Sequence, residues 1–458
     1  MRLLFDHGTL VLAEAPDLRA EAIPGLMWDP RVGLWRAPAF RYADVLDALR
    51  RRRLPVRDEV PAPLRPNLEP FRSIELRPYQ QAAALAWEQA GRRGVIVLPT
   101  GSGKTRVATA ILAASAVRAL CLVPTRALLQ QWLSELGRVY AGPVGCLGDG
   151  EQRVEAVTVT TFESAYRHMP RIGREFDLLV IDEVHHFGLG VRDEALEMSI
   201  AEQRLGLTAT PPEAEAQRRI EMLVGPVVHR ENVADLAGTW LADFELVVVH
   251  VGLEPDERAR YDADNRIFSE VNRQFRKMHP YGTWQEFVSA ASQSLEGRRA
   301  LAAFRRSRRM LGLTRAKRDA VGSLLDRHRG SRILIFTVDN DAAYAIARER
   351  LIMPITCDIS RAERDRVLDA FRRGELKALI SSRVLNEGID VPDADVAIVV
   401  GGAGGQREHV QRVGRLLRPA PGKHAVVYEL VTAATSETRR ASERRRGLAT
   451  PRAAPPQH

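Results

Sequence analysis

From Gly94 onward, short runs of Val, Ile and Leu that are apolar at consecutive positions alternate with longer stretches whose apolar residues recur at helical spacing. The runs fall at 95–98, 119–123, 157–160, 178–181 and 205–207, and the pattern resumes at 333–336, 355–357, 378–381, 396–400 and 425–428. Strands apolar on both faces and separated by helices belong to buried parallel sheets. Two α/β domains in tandem, of similar strand count, are predicted. Between them, 256 to about 309 has no such run and reads as helical, polar and basic, with Arg276 and Lys277 among its cations. Tyr281, Trp284 and Phe287 recur there every third residue, the spacing of one buried helix face. The neighbouring cations suit a phosphate backbone, and the alternative for the aromatics is that they stack bases beside it.

Residues 1–57 combine an apolar-alternating start, a Trp-Asp-Pro turn at 28–30 and a helical pattern over 42–53, which predicts a small α+β module. A Pro-rich stretch follows, and its five prolines between 55 and 70 predict an extended linker over 58–72. The expected plan is then a first α/β domain at 73–238 and a second at 239–440 that holds a helical insertion at about 258–305. A polar, Arg-rich tail closes the chain at 441–458.

With 458 residues, 45% hydrophobic and 27% charged, the chain can fill several cores, and wholesale disorder is excluded. A net charge of +9 favours polyanionic partners where it clusters. Only five of the 67 basic side chains are lysine, so a single arginine run says little and each lysine says more. Three widely spaced cysteines offer neither a disulfide framework nor a zinc site of usual spacing. No apolar stretch approaches the roughly 18 residues of a membrane span. A cytoplasmic protein with no membrane partner is expected.

The strongest local signal is Leu98-Pro-Thr-Gly-Ser-Gly-Lys-Thr105, set between the run 95–98 and the helical stretch 106–116. Its residues Thr100, Gly101, Ser102, Gly103, Lys104 and Thr105 form a phosphate-binding loop. The glycines let backbone N–H groups curl round phosphates, Lys104 supplies a point charge, and Thr105 offers a hydroxyl to Mg2+. The second signal is Leu178-Leu-Val-Ile-Asp182-Glu183-Val184-His185, an apolar strand ending in two carboxylates. At a strand tip Asp182 can hold Mg2+ through water and Glu183 can polarise an attacking water. Taken alone, two acids there could equally cap a following helix.

These two signals stand in an ordered set: Arg77-Pro-Tyr-Gln80-Gln, the loop at 98–105, Pro124-Thr-Arg126-Ala-Leu, Thr160-Thr161-Phe and Asp-Glu-Val-His185. Leu207-Thr208-Ala-Thr210-Pro, Ile335-Phe-Thr, Asn386-Glu-Gly388-Ile-Asp390-Val-Pro and Gln411-Arg-Val-Gly-Arg415-Leu-Leu-Arg418-Pro complete it. The set resembles a superfamily 2 helicase over Arg77 to Pro419, which implies two RecA-like motor domains working with ATP and Mg2+. By that resemblance Gln80 faces the adenine, and Arg77, Gly388, Asp390 and Gln411 also contact nucleotide. Arg415 and Arg418 act as arginine fingers, and His185, Thr208 and Thr210 couple hydrolysis to nucleic acid. Arg126 and Thr161 fall in motifs that face the strand.

In detail the chain resembles the XPB family, particularly its archaeal-type DNA repair members. Gly8-Thr-Leu and Trp28-Asp-Pro-Arg-Val-Gly-Leu-Trp-Arg36 resemble the family's damage-recognition module, and the insertion near 258–305 resembles its thumb. The chain departs from that branch at Pro212-Glu-Ala-Glu-Ala-Gln-Arg-Arg219, where an Arg-Glu-Asp triplet is expected. The resemblance implies an ATP-dependent DNA helicase or translocase acting in repair, with DNA as partner and a nuclease as a further one. An RNA helicase with the same motor, and an ATP-switched nucleic-acid clamp without unwinding, remain the alternatives.

Overall fold

Every apolar run named above lies in or beside a strand, and the helical stretches pack over the sheets so formed. The structure, a computed structural model, describes residues 1–15, 23–60, 68–190, 192–212, 214–236, 238–240, 243–382, 394–401 and 424–445. The chain divides into two compact units after Asn232.

In the first unit an eight-stranded sheet runs in the order Val227–Arg230, Arg93–Val97, Gln203–Thr208, Leu178–Asp182, Ala119–Val123, Val157–Thr161, Val144–Gly148 and Glu151–Arg153. All neighbours are parallel except the last pair, an antiparallel hairpin. Three central strands therefore deliver the ends of Arg93–Val97, Gln203–Thr208 and Leu178–Asp182 side by side, with Thr208 opposite Val97 and Leu207 opposite Asp182. Loops that leave the carboxyl ends of adjacent parallel strands share one crevice. The phosphate-loop sequence, the Asp-Glu pair and the Thr-Ala-Thr segment meet there because of strand order, since more than a hundred residues separate the first from the last.

The second unit holds a six-stranded, all-parallel sheet in the order Asp243–Val251, His424–Thr432, Val396–Val399, Ile333–Phe336, Ala378–Ser381 and Met353–Ile355. The expectation of similar strand count gives way to eight strands against six among the described residues. Asp243–Val251 escaped the pattern because it is an edge strand, half-exposed along its length rather than buried on both faces. The strand expected at 355–357 sits two residues earlier, at Met353–Ile355.

Three helices, Pro255–Met278, Trp284–Ser292 and Leu295–Gly312, make the insertion, which thus begins and ends beyond 258–305. Phe275, Phe287, Ala291 and Leu301 form its core. The expectation that the aromatics share one buried face fails for two of the three: Tyr281 is 99% exposed and Trp284 is 46% exposed, and only Phe287 is buried. The reason is a break in the helix. Tyr281 lies in the turn between Met278 and the cap of the next helix, where the Thr283 hydroxyl accepts from the Glu286 N–H, so a three-residue spacing across the turn describes no face. Beyond the insertion, Lys317 is fully buried and donates to both Glu437 oxygens at 2.8 and 2.9 Å and to Leu311 O at 2.7 Å. Burial of that charge is tolerable because all its donors meet strong acceptors.

The amino-terminal module is a five-stranded sheet backed by helix Tyr42–Arg51, with Leu3, Leu10, Leu12, Val45 and Leu49 in its core. It is no bead on a tether. Ile200 of the first α/β domain is buried in the module's core, and Phe40 of the module packs against the core of that domain. The stretch 58–72 is correspondingly not all connector. Arg57–Asp58 pairs in parallel with Arg2–Asp6, Val60 is fully buried, and Phe71 bridges to Tyr140 with ring centroids 4.7 Å apart.

Candidate active site

After strand Arg93–Val97 the loop turns on Gly101 (φ 85) and Gly103 (φ 83), left-handed conformations that glycine adopts without a Cβ penalty. Helix Lys104–Ser115 follows with no side-chain cap and no acid in its first turn. Its leading N–H groups and the positive end of its dipole are thus left for an anion. The loop is held from outside. Tyr79 OH donates to Ser102 O at 2.6 Å, Gln80 Nε2 donates to the same carbonyl at 2.8 Å, and Ser102 Oγ donates to Pro99 O at 2.7 Å. Gln80 Oε1 meanwhile accepts from the Arg77 N–H at 3.0 Å. Gln80, expected at the adenine, is 2% exposed and spends one donor and one acceptor on fixing the loop.

The facing wall comes from strand Leu178–Asp182. Asp182 Oδ1 accepts from the Glu183 N–H at 3.0 Å, and Oδ2 accepts from Trp132 Nε1 at 2.9 Å. Glu183 has φ 53 and ψ 51, a strained conformation for a side-chain-bearing residue, and it turns its carboxylate to within 4.0 Å of Lys104 Nζ. Burial and the adjacent Glu183 charge push the Asp182 carboxyl up from its ordinary value. Burial acts the same way on Glu183, but Lys104 and His185 outweigh it and hold that carboxyl low. The two acids are thereby driven apart in proton affinity, as suits a pair with different tasks.

His185 Nδ1 lies 3.4 Å from Glu183 Oε2 and 3.0 Å from Thr208 Oγ1. That hydroxyl donates to Thr210 O at 2.8 Å and accepts from the Thr210 N–H at 3.2 Å. A hydroxyl has one proton to give, so Nδ1 of His185 is the donor in its bond to Thr208. His185, Thr208 and Thr210 are therefore joined by hydrogen bonds, and Glu183 Oε2 stands beside the imidazole at ion-pair distance, so that the acid is in contact with the Thr-Ala-Thr segment through one side chain.

A triphosphate with a divalent cation fits these residues. Thr100 Oγ1 is buried in the loop with no protein partner, the helix start is uncapped, and Lys104 stands beside the acids. The Asp182 carboxylate and Thr105 hydroxyl are hard oxygen donors of the kind Mg2+ takes, with phosphate oxygens and water completing its shell.

Arg126 and Thr161 lie together in the first unit, lining a groove of about 390 Å³ with Pro124, Gly148, Gln152 and His168. Arg126 is paired with Asp149 at 3.3 Å, and Thr161 caps helix Phe162–Ile172 by accepting from the Ser164 N–H. Arg276 and Lys277 end the first helix of the insertion, both exposed, and Arg276 donates to Gly282 O at 2.7 Å. Gly388, Asp390, Gln411, Arg415 and Arg418 lie outside the described residues.

Three contributors were not legible in the sequence. Trp132 reaches Asp182 from the middle of helix Arg126–Val139. Arg204 is 1% exposed and gives its guanidinium N–H groups to the carbonyls of Leu196, Ser199, Ala201 and Leu223, under the segment that receives the amino-terminal module. Arg219, in the helix that replaces the expected Arg-Glu-Asp triplet, pairs with Asp193 at 3.5 Å and with Glu197. In a chain with so many arginines nothing local sets these two apart.

Three family models match along the chain: the Xeroderma pigmentosum group B helicase damage recognition domain at 3–60, the type III restriction enzyme res subunit at 73–213, and the helicase conserved C-terminal domain at 316–420. A curated relative, DNA 3'-5' translocase XPB2 of Sulfurisphaera tokodaii, is 35% identical over 428 residues, 92% of this chain and 96% of that protein. DNA 3'-5' helicase XPB of Mycobacterium tuberculosis is 30% identical over 82% of this chain and 64% of its own length. Among solved structures, the Pyrococcus furiosus Hef helicase domain superposes with a TM-score of 0.52 at 19% identity, covering 80% of this chain and 97% of that one. That likeness supports the fold, two tandem RecA-like domains. With a damage-recognition module, a helicase amino-terminal half and a helicase carboxyl-terminal half in that order, and a relative matched nearly end to end, the chain belongs to the XPB family of superfamily 2 helicases.

Proposed function

We propose that this protein is an ATP-dependent DNA translocase that opens or tracks duplex DNA in repair. The observation that carries the reading is the convergence of Lys104, Asp182 and Glu183 on an uncapped helix start, with Glu183 joined through His185 to Thr208 and Thr210. A protein that only bound nucleotide would need no low-pKa acid aimed at the phosphates and no path leading away from it.

In this reading the N–H groups of 101–105 cradle the phosphates, and Lys104 neutralises the terminal ones. Gln80 faces the adenine, and Arg77 also contacts the nucleotide. Asp182 and Thr105 hold Mg2+, which supplies charge neutralisation on the phosphate oxygens when bound. Glu183, kept ionised by Lys104 and His185, orients the attacking water and accepts its proton. Loss of the terminal phosphate alters the field at Glu183 and hence the hydrogen bonds of His185 and Thr208. By motif resemblance Gly388, Asp390 and Gln411 add nucleotide contacts, and Arg415 and Arg418 stabilise charge on the transferring phosphoryl group. Arg126, Thr161, Arg276 and Lys277 grip the DNA backbone without reading sequence. By analogy with archaeal-type members of the family a nuclease is the further protein partner, and the site of action is the cytoplasmic nucleoid.

The test is steady-state ATPase of the purified chain, alone and with single-stranded, duplex and forked DNA and with RNA, using Glu183→Gln as control. Strong stimulation by DNA that is absent in the control supports the proposal. Preference for RNA would replace it with an RNA motor, and tight ATP binding without turnover would replace it with a clamp.

A further inference from the structure

Trp132 has 0% exposure and places its single polar atom on Asp182. A buried indole N–H needs an acceptor, and a main-chain carbonyl is the ordinary solution. Trp87 of the same domain finds one, donating to Arg204 O at 3.0 Å. Trp132 is different because its acceptor is the carboxylate expected to hold Mg2+. With Oδ2 held by the indole at 2.9 Å and Oδ1 by the Glu183 N–H at 3.0 Å, the Asp182 carboxylate cannot rotate without breaking a charge-assisted hydrogen bond.

The placement of Trp132 in the chain adds a second consequence. It lies on helix Arg126–Val139, whose first residue, Arg126, lines the groove with Thr161. Six residues of helix span about 9 Å. Leu129 and Leu136, on the buried side of the same helix, are fully buried with it. The helix start is fixed by the Thr125 hydroxyl, which accepts from the Leu128 N–H. One capped helix with a buried face therefore links the groove to the carboxylate.

We propose that Trp132 is a positioning residue for the ATPase: its indole N–H fixes the orientation of Asp182 for the metal and ties that carboxylate to the helix bordering the Arg126–Thr161 groove. The proposal rests on the reading of Lys104, Asp182 and Glu183 as an ATP site. Outer partners that orient a metal-binding carboxylate are worth about 10–100-fold in metal affinity, and that is the loss expected here.

The experiment is equilibrium binding of a fluorescent, non-hydrolysable ATP analogue to the full chain, in EDTA and across a Mg2+ titration, with and without duplex DNA. Three proteins are compared: wild type, Trp132→Phe, and wild type with the indole of Trp132 replaced by benzothienylalanine. The last is near-isosteric and lacks only the N–H, so it separates hydrogen bond from packing. The expected result is that both variants bind the analogue in EDTA as wild type does, need at least about tenfold more Mg2+ to tighten it, and lose any effect of DNA on that Mg2+ requirement. Equal Mg2+ dependence in all three proteins overturns the proposal, as does a defect in Trp132→Phe that benzothienylalanine does not share. A DNA effect that persists in both variants overturns the tie to the helix. If wild type itself fails to bind the analogue, the ATP-site reading falls instead.

Discussion

His185 and Thr208, 23 residues apart in sequence, are joined at 3.0 Å from imidazole Nδ1 to hydroxyl, and this bond links the imidazole beside Glu183 to Thr210. Thr208→Val keeps the shape and removes the acceptor for both the imidazole and the Thr210 N–H. Each buried donor left unpaired costs about 1–3 kcal/mol. ATP affinity should persist, while stimulation of turnover by DNA falls by roughly tenfold, the rate equivalent of about 1.4 kcal/mol. ATPase with and without duplex DNA checks it, and full stimulation in the variant would disconnect the path from coupling.

Lys104 and Glu183 should separate binding from chemistry. Lys104→Ala removes the cation 4.0 Å from Glu183 and should weaken nucleotide binding outright. Glu183→Gln retains the cation and should bind ATP while turnover drops on the order of 10²-fold or more, the usual contribution of a general base. Nucleotide-binding titrations beside single-turnover hydrolysis distinguish the two.

Arg204 is a stability prediction away from the chemistry. Burial pulls its pKa down to about 9, so at neutral pH the side chain is still a cation, dissolved in four carbonyl groups. Arg204→Met removes the donor to all four carbonyls, leaving Leu223 O only a long contact with Arg93 at 3.5 Å, and should destabilise the first unit by about 3 kcal/mol or more. Urea denaturation is the measurement, and a change under 1 kcal/mol would mean that the pocket refills with water at little cost.

Ile200 tests whether the amino-terminal module and the first α/β domain fold as one. It is 5% exposed, within the module's own core. Ile200→Ala should cost about 2–5 kcal/mol and split a single thermal transition into two, seen by calorimetry. A single transition with an unchanged midpoint would show that the shared core contributes little.

Acid should loosen the same module. The Asp6 carboxyl is held below its ordinary value by His7 and Arg36, that of Asp29 by Arg31, and that of Glu59 by Arg2. Carboxyls with depressed folded values stabilise above the unfolded values of 3.8 and 4.5 and lose that contribution as pH falls through the folded ones. Near-ultraviolet circular dichroism of the Trp28 and Trp35 pair, whose ring centroids lie 5.2 Å apart, should therefore decline below about pH 4. A signal that declines already at neutral pH would point to other groups.

The sequence by itself determined the two parallel-sheet domains, the nucleotide loop and the acid pair, because these depend on local order: apolar runs of strand length, glycines at fixed offsets, and carboxylates at a strand tip. It also determined the family, through motifs whose order survives whatever lies between them. Tertiary structure alone decided which partners those residues meet. Gln80 is engaged by Ser102 and Arg77, and Asp182 by Trp132. Ile200 belongs to the core of a module more than a hundred residues earlier, and Tyr281 stands in solvent despite its spacing with Phe287. Periodicity reports which side of an element is apolar, but not which element will cover it or where a turn resets the phase. Strand order in the sheet, which brings residues 98, 182 and 208 to one end of it, is a property of the packed core and is written in no local pattern.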